Sequence, residues 1–274
     1  MIRAGDRWAV AVRPPDREIV RHQEDASRWV NRGRAVPVLR GAVALVATVS
    51  LGMRALSWSR QVVEGETGTS AQRSSSRSAS LAALLSIGIL VALFAVVPAV
   101  AARGLTGGHG PAFAVLEAFF RLALVVAYIA AIGRLPGIRR TFEYHGAEHA
   151  AVAAYEAGAA LDVGSVRRFS PRHARCGTDF LVLVAVVAVA LFALVSPAAW
   201  WTLLLSRVLL LPVVAGVAYE LLRLSDRPRA SRALRPLLAP GMAVQRLTTR
   251  IPSDDQIEVA IAAVVAALEP VERS

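Results

Sequence analysis

Four long apolar runs dominate the hydropathy pattern of the chain. They cover approximately residues 81–102, 111–134, 180–196 and 201–222. A helix that crosses a hydrocarbon core of about 30 Å needs about 20 apolar residues, within a range of roughly 17 to 25. The pattern therefore predicts a mainly α-helical, polytopic membrane protein with about four transmembrane helices. We expect them to form one hairpin over residues 81–134 and a second over residues 180–222.

The N-terminal segment, residues 1–35, follows a shorter period. Trp8, Val10 and Val12 alternate with other residues, and a Pro-Pro-Asp sequence follows them before a second short apolar stretch. Alternation interrupted by turn residues is typical of a β-hairpin. We predict a small N-terminal hairpin in the cytoplasm.

Residues 36–58 are apolar but are interrupted by Arg40, Gly41 and Arg54. The uninterrupted part is shorter than a membrane span requires, which favours an interfacial or re-entrant helix. Residues 59–80 are rich in serine and arginine and predict a linker.

The C-terminal segment, residues 223–274, begins with a basic, proline-containing stretch and ends in an apolar stripe. Ser253 precedes two aspartates and then Ile257, Ile261 and Val264. An N-cap residue followed by acidic residues and an apolar stripe predicts a cytoplasmic amphipathic helix.

The charge distribution sets the expected orientation. The chain has 31 basic and 20 acidic residues, a net charge of +11. Arginines are concentrated before the first run, after the last run and in residues 135–179, and such clusters are typical of cytoplasmic loops that face anionic lipids. We expect a multi-pass protein of the cell (cytoplasmic) membrane with both termini in the cytoplasm, a homo-oligomer as an option, and no nucleic-acid partner. A single cysteine excludes a disulfide framework and a zinc site built from several thiolates.

The most ionisable part of the chain is the sequence EYHGAEH at residues 143–149. We predict a helix of about four turns here, capped by Thr141 and stopped by Gly158. Glu156 returns to the azimuth of His145 but lies about 10 Å along the axis from His149, too far to share an ion with it.

His145 and His149 stand at positions i and i+4 and therefore share one face of that helix. With Glu148 between them they form the order H-x-x-E-H, in which two imidazoles hold zinc and the glutamate acts on a bound water. Glu148 is the candidate catalytic residue and the histidines are candidate metal ligands. The alternative is a pair of surface histidines on a solvated helix.

A second cluster, FSPRHARCGT, precedes the third apolar run. If Ser170 caps a helix and Pro171 takes its first position, His173 and Cys176 share a face as further metal ligands. The alternative is a buried thiol beside a lipid-facing histidine.

Two acidic residues are additional candidates for this site. Glu143 is the first residue of EYHGAEH, and Glu220 lies in the last apolar run, where an acid is either functional or paired with Arg223.

The chain resembles the YqhQ family of bacterial membrane proteins, a family with domain of unknown function 1385. The resemblance rests on DRWAVAVR, LRGAVALV, LGMRAL, FEYHGAEHA, VRRFSPRHARCGT, RVLLLPVVAGVAYELLR and LTTRIPSDDQIEVAI, in that order. It implies a membrane protein of a class labelled as predicted metal-dependent enzymes and supplies no substrate. Relatives carry lysine after the second histidine of the H-G-A-E-H motif, where this chain has Ala150.

Three functions follow as hypotheses. The first is a divalent transition metal site, with zinc favoured, that hydrolyses a lipid or membrane-associated substrate. The second is a non-enzymatic membrane scaffold with a saturated His/Cys site, and the third is a transporter or channel. Candidate contacts for anions or anionic lipids are Arg139, Arg140, Arg168, Arg172 and Arg175.

Overall fold

The computed structural model of the chain is mainly helical, with a small sheet at its N-terminus. It describes residues 1–5, 7–15, 18–25, 39–64, 85, 89, 93–94, 96–108, 110–173, 176–193, 200–225 and 239–269.

The sheet has three antiparallel strands in the order β1 (Ile2–Ala4), β2 (Arg7–Val12) and β3 (Val20–Asp25). The pairing of β2 with β3 confirms the predicted hairpin, and β1 extends it by one strand. Both faces of β2 are covered: Trp8 packs against one helix, and Ala9 packs into the core on the opposite side. The sheet is therefore a central layer of the N-terminal part.

Helices α4 (Pro136–Glu156) and α9 (Asp254–Leu268) pack on each other and on the sheet, with the short helix α5 (Val163–Val166) beside them. Their shared core is built from alanines of α4 and aliphatic residues of α9. Small side chains allow the two helices to approach closely. The predicted C-terminal helix is confirmed from Asp254 onward.

The remaining described helices are apolar or partly apolar. They are α1 (Leu39–Glu64), α2 (Val96–Thr106), α3 (Gly110–Ile132), α6 (Gly177–Ala193), α7 (Trp200–Ser225) and α8 (residues 239–248).

One helix of the described part is long and apolar enough to cross a membrane. It covers Ala112–Ile132 in α3, with a mean hydropathy of 2.1 and only 6% of its apolar window buried. The described apolar stretches Val96–Thr106 and Val182–Phe192 are shorter. The structure thus supports membrane association at the level of one span, and part of the predicted first run lies outside the described residues.

Helix α1 connects the apolar helices to the sheet. At one end it meets α7, where a Cβ on Gly41 would lie 2.7 Å from the Cα of Gly216. Further along, Leu51 and Ala55 pack against Trp8 of the sheet. The helix continues to Glu64, into the segment predicted as a linker, and residues 65–80 of that segment lie outside the described part.

Candidate metal centre

Helix α4 carries the two histidines of the H-x-x-E-H sequence. It begins at Pro136, earlier than predicted, so Thr141 lies inside the helix and its hydroxyl donates to the carbonyl of Gly137 at 3.0 Å. Proline is favoured in the first turn because its missing N–H would be unpaired there. Gly158 follows the helix with φ of +66°, as predicted for its stop.

His145 and His149 lie one turn apart, with ring centroids separated by 4.4 Å. Nδ1 of His145 is 2.9 Å from the carbonyl oxygen of Thr248, and Nδ1 of His149 is 2.9 Å from that of Pro171. A carbonyl oxygen only accepts, so both Nδ1 atoms carry the proton and donate. Both Nε2 atoms are left as electron-pair donors, which is the arrangement of metal-binding histidines.

Cys176 adds a third ligand atom. Its Sγ is 3.3 Å from Nε2 of His145, and the ligand atoms of His145, His149 and Cys176 all lie within 4.8 Å of one another. Tetrahedral zinc with bonds of about 2.0–2.3 Å places its ligand atoms roughly 3.3–3.8 Å apart. Small side-chain rotations therefore suffice for these three residues to hold one ion.

Burial and a helix terminus define the surroundings of Cys176. Cys176 is buried and directly precedes α6, so its sulfur lies near the positive end of that helix dipole. Desolvation lowers the pKa of His145, but the hydrogen bond to Cys176 and the charge of its sulfur outweigh that effect, and the net pKa is raised.

Gly146 lets two other segments reach the histidines. A Cβ at this position would lie 2.0 Å from the carbonyl oxygen of Arg250 and 3.1 Å from Cβ of Pro171. These segments carry the carbonyls of Thr248 and Pro171 that fix the two imidazoles. The glycine of the H-G-A-E-H sequence is therefore required by close packing.

His173 lies close to the three-residue group but is not part of it. Its ring centroid is 6.0 Å from that of His149, and its Nε2 is 3.0 Å from the carboxylate of Glu156. Gln245, fully buried on α8, accepts from the backbone N–H of His173 at 3.1 Å and donates to its carbonyl at 2.8 Å. Glu156 was predicted to lie too far from His149 to share an ion with it. It is not one of the three residues whose ligand atoms converge, and its carboxylate instead contacts His173.

The predicted helix through His173 and Cys176 is wrong. Residues 170–173 are not helical, and α6 begins at Gly177. Cys176 reaches His145 because the chain turns into α6 at this point, and shared helical spacing with His173 plays no part.

Glu148, the predicted catalytic residue, lies on the same helix and its charge contributes to the raised pKa of His145. Its carboxylate is 3.6 Å from the amino group of Met1, and its side chain is 38% exposed. Glu143 accepts from Gln256 at 3.1 Å and from Arg139 at 3.2 Å, which ties α4 to the start of α9. Neither carboxylate belongs to the converging group.

The other predicted residues lie away from the three ligand atoms. Glu220 forms a two-point ion pair with Arg40 between α7 and α1. Arg140 lies 6.0 Å from the ring of Tyr144, and Arg168 donates to the carbonyl of Gly164 at 3.2 Å. The side chains of Arg139, Arg140, Arg168 and Arg172 are exposed, and Arg175 lies outside the described residues.

Asp179 is a site residue that sequence reasoning missed. It is 2% exposed, and within the described part of the chain no hydrogen bond reaches its Oδ1. Burial raises its pKa to about 6, although the side chain of Gln245 donates to the carboxylate and His149 and His173 also lower the pKa. An acidic residue directly before an apolar run, three positions after the cysteine, was the available signal.

Close packing also fixes Asp179. A Cβ on Gly241 of α8 would lie 2.6 Å from its Oδ1. Together, Gln245 and Gly241 place α8 against both the buried carboxylate and the backbone of His173. The candidate ligands His145, His149 and Cys176 thus lie on α4 and at the start of α6, and α8 packs beside them.

A comparison with protein families matches residues 36–270 to a family described as "Protein of unknown function (DUF1385)". Among curated proteins, "Uncharacterized protein YqhQ" of Bacillus subtilis (strain 168) is 34% identical over 248 residues, which cover 85% of this chain and 77% of that protein. No solved structure matches the chain.

Proposed function

Since the chain belongs to the DUF1385 family of proteins of unknown function, we propose its function from the geometry of its own residues. We infer that it is a membrane metalloprotein that binds one divalent transition metal ion, with zinc favoured, through His145, His149 and Cys176.

The observation that carries this proposal is the paired orientation of the imidazoles. Two backbone carbonyls accept the Nδ1 protons of His145 and His149, and one ligand atom from each imidazole lies within 4.8 Å of the other and of the buried thiol of Cys176. Surface histidines on a solvated helix would have no such fixed partners. Two imidazoles and one thiolate match the donor preference of zinc.

Three protein ligands favour a catalytic site over a structural one. A structural zinc site is closed by four protein ligands, whereas a catalytic site keeps one position for water. The ion, when bound, supplies a water of lowered pKa. Glu148 and the buried Asp179 are the two carboxylates of this chain that we propose as acceptors of a proton from substrate or water, which makes hydrolysis the reaction class.

The position of the group supports a lipid or membrane-associated substrate. Cys176 directly precedes the apolar helix α6, and α4 begins only a short turn after the apolar helix α3 ends at Ile132. We propose that the four apolar runs, residues 81–102, 111–134, 180–196 and 201–222, form transmembrane helices and that α4 and α9 lie in the cytoplasm. The exposed Arg139, Arg140 and Arg172 are then available to anionic headgroups.

A saturated structural site is the second candidate, because His173 lies close enough to His149 to become a fourth ligand after rotation away from Glu156.

Cobalt(II) substitution distinguishes the three-ligand catalytic site from the saturated structural site. We expect a thiolate-to-cobalt absorption band that Cys176→Ser abolishes and His173→Gln leaves unchanged. A spectrum that changes equally in both variants would favour the saturated site, and no thiolate band in the wild type would refute the proposed ligand set.

A further inference from the structure

An apolar cavity of about 440 Å³ lies between α3 and α6. One wall runs from Ala118 to Ile129 on α3, and the other runs from Val182 to Val189 on α6. Val244 of α8 closes one end. Interiors of proteins are close-packed and leave few voids larger than a water molecule, so an apolar space of this size is expected to be filled by something.

Small side chains create the space. Ala118 on α3 and Ala185 and Ala188 on α6 all line it. Phe119, which is 65% exposed, also lines it, so the cavity is reachable from outside the molecule. For a helix that crosses a membrane, the outside at this point is lipid.

The one charged group on the wall is already neutralised. Arg121 forms an ion pair with Glu117, which is 3% exposed, and its Nε donates to the carbonyl of Phe94 at 3.0 Å. A hydrocarbon chain therefore meets no unpaired charge among the described residues of the cavity.

Two residues that line the cavity are close in sequence to residues around the candidate metal centre. Val244 is the neighbour of Gln245, which holds the backbone of His173, and Val182 lies one turn after Asp179. Along α6, Val182 lies about 7.5 Å from Gly177 at 1.5 Å per residue, and Gly177 directly follows Cys176. The cavity and the ligand group thus follow each other along the same helix.

From this continuity we propose that the cavity binds the hydrocarbon chain of an anionic membrane lipid, whose headgroup then lies at the His145, His149 and Cys176 group. This rests on the proposed function and specifies its substrate class. Hydrocarbon is equally favourable in a bilayer and in the cavity, so the cavity acts by orienting the lipid. Orientation of the scissile bond is what a metal-bound water requires.

A chain-labelled photoreactive lipid tests the proposal. The full-length protein is reconstituted in nanodiscs containing phosphatidylglycerol with a diazirine in its acyl chain, and the labelled peptides are mapped by mass spectrometry. We expect labelling of the α3 and α6 walls to fall at least about fivefold in Ala185→Phe, since the ring fills the space. The matched control is Ala190→Phe on the exposed face of α6, which should label as the wild type does.

The outcomes separate this proposal from the metal centre. Equal labelling of both variants would mean that the probe reports surrounding lipid only, and it would overturn the proposal. Zinc content measured on the same samples should be unchanged in both variants. If labelling falls in Ala185→Phe and not in Ala190→Phe, but none of the proteins binds zinc, the lipid cavity is supported and the metal proposal fails. If Ala185→Phe does not fold, Ala188→Val replaces it, and the same fall in labelling is expected.

Discussion

In the two histidines of α4, single hydrogen bonds determine which ring nitrogen carries the proton. Spacing alone places His145 and His149 on one face, which the sequence predicts. Which nitrogen each imidazole offers depends on Thr248 and Pro171, whose carbonyls come from distant segments. Since no local pattern encodes such contacts, the ligand atoms became evident only from the structure.

Gly146 gives the first prediction at this scale. Gly146→Ala should destabilise the protein by about 1–3 kcal/mol or more, the usual cost of forcing extra atoms into a packed region. It should also lower zinc affinity, because Arg250 and the segment holding Thr248 must move away. Thermal unfolding and zinc titration measure both effects.

Gly137→Ala on the same helix is the matched control, since no atom lies within 4 Å of the added Cβ. Alanine there should be neutral or stabilising by about 0.5–1 kcal/mol. Equal unfolding stability and equal zinc affinity of the Gly146→Ala and Gly137→Ala variants would show that close packing at Gly146 is not needed.

Asp179 gives a prediction of pH dependence for the metal-free protein. Its pKa in the folded protein, about 6, lies above the ordinary value of 3.8 for an aspartate, so between these pH values the folded state holds a proton that the unfolded chain releases. Its contribution is therefore most favourable below about pH 4 and is lost as the pH rises through about 6, by about 1–2 kcal/mol between about pH 5 and pH 7.5.

Thermal unfolding of chelator-treated protein at those two pH values tests this. Asp179→Asn should lose less stability than the wild type over the interval. His145, whose pKa is also raised, contributes in the same direction in both proteins and cancels in the comparison. A wild type whose stability increases more steeply with pH than that of the variant would contradict the assignment.

Individual helices and strands were predictable to different degrees. Periodicity identified the β2–β3 hairpin, the start of α9 and the apolar core of α3, because each has a strong local pattern. It failed between Ser170 and Cys176, where tertiary contacts of His173 with Gln245 replace helical hydrogen bonds. The predicted start of α4 at Thr141 is also too late. Threonine is a common N-cap residue, but here its hydroxyl bonds to the carbonyl of Gly137 inside a helix that begins at Pro136.

Gln256 provides a prediction for α9. Its Oε1 accepts from the backbone N–H of Ser253 at 2.9 Å, and its Nε2 donates to Glu143 at 3.1 Å. Gln256→Ala should therefore destabilise the contact of α9 with α4 by about 1–3 kcal/mol, because buried polar partners are lost. Glu258→Ala, which removes only an exposed ion pair with Arg13 from the same helix, is the control for hydrogen exchange of α9. Equal protection in the two variants would contradict the role of Gln256.

The arrangement of the whole molecule in the membrane is a proposal that rests on the apolar helix α3 and on the arginine distribution. In a Cys176→Ser background, we expect cysteine at Gly107 to react with a membrane-impermeant maleimide added to spheroplasts. Cysteine at Gly137 should react only after permeabilisation, because α4 is proposed to be cytoplasmic. The reverse pattern would invert the topology, and labelling of both sites without permeabilisation would contradict a cytoplasmic α4.

Metal content tests the central claim most directly. Detergent-purified protein, repleted with zinc and freed of excess, is measured by plasma mass spectrometry beside His149→Gln and the control His173→Gln, with folding checked by circular dichroism. We predict close to one zinc per chain in the wild type and in His173→Gln, and a loss of at least about tenfold in affinity for His149→Gln. A folded wild type that binds neither zinc nor any other divalent transition metal would contradict the metal centre.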